Sequence, residues 1–348
     1  MKLPAKLAIA SLAIVTAASI ANAQNATTDP VGFVTFTIPA GDGTTKKTVL
    51  ISAPLYDVAS INGSATGSIS AVSSTSIQNS SAGWTAGQLS QASGPYLVQV
   101  TSGNASGAMF LIDNNTSTAL TINSTYSSVD PATLGVVAGD TYRISPCDTI
   151  SSLFGGPGQG VIGSTAQATA DTLQIVIGGT SFTYFYKTNA TPAGWVRVAL
   201  GNPASDNVPI LPNMGIQFSR IGSSPLTYTI TGSVPVTRRL SEVKNSGLTI
   251  LASFWPTDTT LNSIGLQNIP GWTTGANQTV ADIVVTRNMT TGGSQTFFHN
   301  GTNWKRVGLG APPSSNDEPI PVGTSIRIFR KGSGAGNASL AQNPPYSL

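Results

Sequence analysis

The chain has 348 residues, a formal net charge of +3 and 9% charged residues, far below the roughly 25% of ordinary soluble domains. A single histidine and a single cysteine exclude an intramolecular disulfide and all but exclude a His/Cys metal centre. Polarity is supplied by Ser, Thr, Asn and Gly, the texture of an exported β-protein hydrated by hydroxyls and amides.

The start reads as a secretory signal peptide over residues 1–23. Lys2 and Lys6 form the charged region, Leu7 to Ile20 the apolar one, and Ala21-Asn22-Ala23 a cleavage site. Cleavage would leave 348 − 23 = 325 residues with 15 basic and 14 acidic side chains, a balance of +1. That balance, with no basic run longer than pairs such as Arg238-Arg239 and Arg330-Lys331, argues against a nucleic-acid partner. No later run approaches the ~20 apolar residues of a membrane span.

In chain order, Phe33, Val34, Phe36 and Ile38 predict a first strand, and Thr48 to Ser52 a second, stopped by Pro54. Residues 59–94 read as short strands joined by long turns. Tyr96–Val100, Ala108–Ile112 and Ala119–Ile122, linked by Gly- and Asn-rich turns, predict an antiparallel meander. Asp140–Ile144 adds a further strand.

Beyond residue 145 the chain repeats itself. Trp195-Val196-Arg197-Val198-Ala199-Leu200-Gly201 returns as Trp304-Lys305-Arg306-Val307-Gly308-Leu309-Gly310, 109 residues later. Pro209-Ile210 and Arg220 return as Pro319-Ile320 and Arg330, with 11 residues from Pro to Arg in both. Asp148 aligns with Asp258, Asp171 with Asp282, and Asp206-Asn207 with Asn316-Asp317. Thr48–Ser52 echoes Thr249–Ser253 more faintly.

Such matches mark a repeated folding unit. The organisation they predict is an N-terminal β domain at 24–145, β repeats at 146–235 and 236–334, and a disordered tail at 335–348. The expected fold class is all-β: antiparallel sandwich or barrel-like units, two or three of them related, with short helical turns at most near 149–154 and 260–265.

The Asp29-Pro30-Val31-Gly32-Phe33-Val34 start, the Gly103 to Thr116 segment, Gly139-Asp140-Thr141-Tyr142-Arg143-Ile144 with Leu153-Phe154-Gly155, and the Tyr-rich strand leading to Trp195 resemble a family of secreted bacterial proteins of unknown function. The resemblance spans nearly the whole mature chain. It implies export and a β architecture, and it transfers no site.

Residues with chemistry are few. His299 aligns with Tyr186 or Lys187 and reads as an exposed strand end. The paired aspartates read first as turn formers, with calcium at 205–207 and 316–318, or a glycosidase-like pair, as lesser alternatives. Trp195 and Trp304, with Asp206 and Asp317, are the candidate ligand contacts: the indoles are either core anchors or sugar-stacking platforms. Arg220 and Arg330 read as guards of strand edges, and Cys147 as a buried thiol. Gly155–Gly160 contains Pro157 and lacks the Lys-Ser/Thr of a phosphate loop.

No catalytic residue, metal or cofactor is expected. The functional expectation is an exported, non-enzymatic β-repeat protein of the cell envelope or matrix. Self-association or a polysaccharide would be its partner, with a carbohydrate-binding module as the alternative.

Overall fold

A computed structural model describes residues 30–57, 61–126, 129–253, 255–308, 313–333 and 336–347. The segment read as a signal peptide lies outside them. Strands account for 42% and helix for 5% of the structure, so the fold is all-β and antiparallel, as the residue pattern predicts. Among the described residues no sheet closes into a barrel.

The chain opens with β1 (Val31–Ile38) and β2 (Lys47–Ile51). A compact insert follows: β3 (Thr66–Ser68), β4 (Ala71–Val72), β5 (Ser76–Gln78), β6 (Tyr96–Val100), β7 (Met109–Asn115), β8 (Ala119–Ile122) and β9 (Thr141–Pro146). Next come β10 (Asp148–Thr149), α1 (Ile150–Phe154), β11 (Thr172–Ile177), β12 (Thr180–Lys187), β13 (Gly194–Arg197), β14 (Pro209–Ile210), β15 (Ile216–Arg220) and β16 (Leu226–Ser233). The remainder is β17 (Arg239–Lys244), β18 (Ser246–Ala252), β19 (Thr259–Thr260), β20 (Ile283–Arg287), β21 (Ser294–His299), β22 (Trp304–Arg306), β23 (Pro319–Ile320), β24 (Ser325–Lys331) and β25 (Asn337–Gln342).

Two bodies share one topology. The first has the sheet β13-β12-β11-β15-β2, the small pair β10-β14 and the ribbon β1-β16; the second has β22-β21-β20-β24-β18, the pair β19-β23 and the ribbon β17-β25. Each sheet buries one face against its ribbon because period-2 alternation places every second side chain inward. Val34, Phe36 and Ile38 of β1 pack with Leu173, Ile175 and Phe218; Val243, Ala338 and Leu340 pack with Val284, Phe297 and Ile328.

These pairings redraw the expected boundaries. β1 and β2 belong to the first body, not to an N-terminal domain at 24–145. The compact β3–β9 module sits in the middle of that body, with 96 residues (52–147) between β2 and β10 against 6 (253–258) between β18 and β19. Its sheet runs β3-β9-β6-β7-β8-β5-β4 around Trp84, Phe110 and Tyr142, and includes the expected meander. Nor is the C-terminal tail structureless: β25 pairs with β17 from Asn337↔Lys244 to Gln342↔Arg239. Its Ala, Ser and Asn residues carry no strand signal, and the pairing comes from the partner strand and from Leu340 burying in the core.

The helical turn expected near 149–154 is α1. Thr149 caps it, accepting from the Ser152 backbone N–H at 3.0 Å while its own N–H donates to Ser152 Oγ at 2.8 Å, the reciprocal arrangement that satisfies two end donors. In the second body the same exchange joins Thr260 and Ser263 without a helix.

The two bodies meet through reciprocal bonds. Ser52 N–H donates to Gly323 O at 2.9 Å, and Ala252 N–H donates to Asn213 O at 3.3 Å. Isolated bridges Ile51↔Thr324 and Met214↔Leu251 flank them, so each body offers its loop to the edge strand of the other.

Candidate functional site

The side chains that recur between the bodies gather at two equivalent places in each. At the first, Asp171 and Arg220 face each other across the β11–β15 ladder, one step beyond Thr172↔Ser219. Asp171 accepts from Arg220 Nη1 at 2.7 Å and from the N–H groups of Ile162 and Ile221 at 2.9 and 2.8 Å. Arg220 also donates to Gly160 O at 3.1 Å.

The second body repeats this lock. Asp282 accepts from Arg330 Nε at 3.2 Å and from the N–H groups of Thr273 and Lys331 at 2.9 and 2.7 Å, and Arg330 donates to Pro270 O at 3.1 Å. All four side chains are buried. A buried charge persists only when paired and hydrogen-bonded, and here it also ties a long connection to the sheet. Asp171 and Asp282 are therefore more than turn formers, and Arg220 and Arg330 do not guard an edge, since each lies inside a ladder with its guanidinium enclosed.

The second place is the tryptophan. Trp195 and Trp304 both have 0% exposure. Trp195 lies edge-on to Phe154 and Tyr186, with Nε1 donating to Gly155 O at 2.6 Å. Trp304 lies edge-on to Trp272 and His299, and its Nε1 has no partner among the described residues. Neither indole offers a face to a ligand.

Each Trp is fixed by a side-chain oxygen on the returning loop, a carboxylate in one body and an amide in the other. Trp195 N–H donates to Asp206 Oδ1 at 3.0 Å, and Trp304 N–H donates to Asn316 Oδ1 at 2.9 Å. Asp206 thus corresponds to Asn316, whereas Asp317 is exposed. The four candidate ligand contacts do not form one cleft: Trp195 and Asp206 hold one body, Trp304 holds the other, and Asp317 stands apart. The alignment of Asp206 with Asn316 holds, whereas a one-residue slip affects Asp148, whose ladder position is filled by Thr259 in the second body, not by Asp258.

His299 is 6% exposed, not at an exposed end. It occupies the place of Tyr186 beside the tryptophan and accepts from Gly301 N–H through Nδ1 at 3.3 Å; burial lowers its pKa. The Cys147 thiol is buried, donates to Ile210 O at 3.5 Å, and is pushed well up by burial. Burial likewise pushes the Asp148 carboxyl up to about 6, against the opposing effect of the Ser152 hydroxyl that donates to it at 2.9 Å.

Arg239 is fully buried between the rings of Tyr56 and Trp255, at 4.9 and 5.8 Å. Nη2 donates to Pro54 O at 2.8 Å, while Nε and Nη1 have no partner among the described residues. Beside it, Arg238 reaches Asn104 O at 3.2 Å, so the Arg pair that stands out in the sequence is a joint between bodies. Where all three bodies meet, a cavity of about 110 Å³ is lined by Met109, Tyr126, Met214, Glu242 and Lys244. Its charges are engaged: Glu242 accepts from Val129 N–H and Asn337 Nδ2, and Lys244 donates to Gly179 O.

Among the described residues no group of three or more His, Cys, Asp and Glu is placed to hold a metal ion, and no helix is long and apolar enough to cross a membrane.

One surface went unread in the sequence. β1 and β16 pair over eight positions, and their outer face sets Phe33 opposite Thr231, Thr35 opposite Thr229 and Thr37 opposite Thr227, all exposed. The hydroxyls of Thr35 and Thr229 bond at 2.9 Å, and those of Thr37 and Thr227 at 3.0 Å. The signal was present as Thr35-Phe36-Thr37 and Thr227-Tyr228-Thr229-Ile230-Thr231, polar residues alternating with apolar ones. Compared with family models, curated proteins and solved structures, the chain has no match.

Proposed function

We propose that this protein is an exported, non-enzymatic structural component of the cell envelope or extracellular matrix, built from two copies of one folding unit. The observation that supports it is the duplicated Asp–Arg lock. The residues that recur most faithfully, Asp171 with Arg220, Asp282 with Arg330, and both tryptophans, are engaged inside the fold. A recurring binding or catalytic site would instead keep its shared side chains open to a ligand. The leader-like first residues and the low charge favour export, and neither a cofactor nor nucleic acid is part of this reading.

The carbohydrate-binding alternative loses its platforms, because stacking needs an exposed ring and neither Trp195 nor Trp304 has one. Fractionation of the producing cell tests the proposal: the mature chain should appear with envelope or matrix material. Retention in the cytosol would refute it, as would reproducible hydrolysis of glycosides, esters or peptides that is lost on changing a single carboxylate.

A further inference from the structure

Resting on that structural reading, we propose that the β1–β16 ribbon is the surface to which a second copy of this chain adds, edge to edge along β1. Among the described residues β1 has a strand partner on one side only. A row of ladder donors and acceptors without a strand partner is a template for another strand, and natural proteins guard such edges with charge, proline or a covering element. The 16 residues of Val31–Ile38 and Leu226–Ser233 contain no charged residue and no proline.

The strand is also held ready. Its inner side chains Val34, Phe36 and Ile38 anchor it in the core, while Val31 and Phe33 on the outer face are 75% and 72% exposed. The outer Thr hydroxyls bond to one another across the ribbon, which ties β1 to β16 on the outer face as well.

The equivalent ribbon of the second body shows the contrast. β17 carries Arg239, Glu242 and Lys244, and its outer face is closed within the chain: Leu240 joins the core of the β3–β9 module and donates its N–H to Gly107 O at 3.0 Å. Gly107, at φ +92°, lies so close to the Arg238 carbonyl that no side chain would fit. One ribbon is charged and covered, and its counterpart is uncharged and open.

The occupant is a second copy because β1 suits itself. An antiparallel pairing with Val34 opposite Val34 puts Phe33 opposite Thr35 and Val31 opposite Thr37, keeping every outer residue on the same face. The result is a closed two-fold contact in which main-chain hydrogen bonds supply affinity.

Sedimentation velocity of the mature chain over a range of concentrations tests this. A reversible monomer–dimer equilibrium is expected, weakened at least tenfold by Thr35→Lys and unchanged by Ser339→Lys on β25, with melting curves showing that both variants fold. The doubly substituted Phe33→Cys/Thr35→Cys chain should oxidise to a covalent dimer, since Cys147 is buried. A chain that stays monomeric throughout, a dimer indifferent to Thr35→Lys, or a monomer retained on insoluble polysaccharide through Phe33 would each overturn the inference. A monomer that still fractionates with the envelope would leave the structural reading standing.

Discussion

The two sheets carry one lock and one tryptophan socket each, yet only the first body is interrupted by the β3–β9 module and, among the described residues, only its ribbon is left uncovered. What is common to them is internal, and what differs is where each meets something else. An ion pair inside a ladder tolerates little change, because removing one partner strands the other in a low dielectric. The connection between β2 and β10 tolerates a whole module, because its ends already lie side by side.

The largest effect should come from breaking one lock. Arg220→Met leaves the Asp171 carboxylate with two backbone donors and without its ion-pair partner, and should cost about 3–5 kcal/mol in denaturant unfolding. Arg330→Met should cost somewhat less, since its pair is longer, 3.2 against 2.7 Å. Replacing both partners, as Asp171→Leu with Arg220→Met, should restore only part of the loss, because leucine removes the acceptor of the Ile162 and Ile221 N–H groups.

Next come the tryptophans. Trp195→Ala and Trp304→Ala should each cost about 3–5 kcal/mol through the cavity left behind. Phenylalanine is the sharper probe. Trp195→Phe also strands the Gly155 carbonyl, and should be worse than Trp304→Phe, which removes an unpaired N–H, by about 1–2 kcal/mol. Equal losses would mean that the Trp195 hydrogen bond contributes nothing.

Asp148 gives a smaller, pH-dependent contrast, because the second body has Thr259 at its position. Its pKa is raised from 3.8 to about 6, so the folded state holds the proton more tightly than the unfolded one. Its contribution is therefore most favourable below about pH 4, declines as pH rises through about 6, and is unfavourable above that. Asp148→Thr should stabilise the chain at pH 7 by up to about 3 kcal/mol, at 1.36 kcal/mol per pKa unit, and the gain should vanish near pH 4 in melts taken across that range.

The least effect is expected at His299, where the first body has Tyr186. A lowered imidazole pKa means that stability is present above the usual histidine range and is lost as pH falls through it. Acid melts of His299→Tyr should lack that component.

Much of this was legible as pattern. The meander β6–β8, α1 and the recurrence of Trp, Asp, Pro-Ile and Arg all stand in the sequence. Their partners do not: Asp171 and Arg220 are 49 residues apart, and each has a plausible local duty as turn former or edge guard. The slip that sets Asp148 against Thr259 arises because the connection from β10 to β14 differs by one residue between bodies, which matching letters cannot show. β16 and β25 were missed for different reasons. β16 has a polar alternate row that reads as loop, and β25 is a strand chiefly because β17 lies beside it.

By itself the sequence determined the β class, the alternation that gives each strand an inner face, and the residues that recur, because these follow from local periodicity and composition. Only the tertiary structure decided which aspartate meets which arginine, that β1 and β2 close the first body around an inserted module, and that one ribbon is covered while its counterpart is bare. Those outcomes depend on ladder register between strands far apart in the chain, and no local pattern encodes which distant strand will lie alongside.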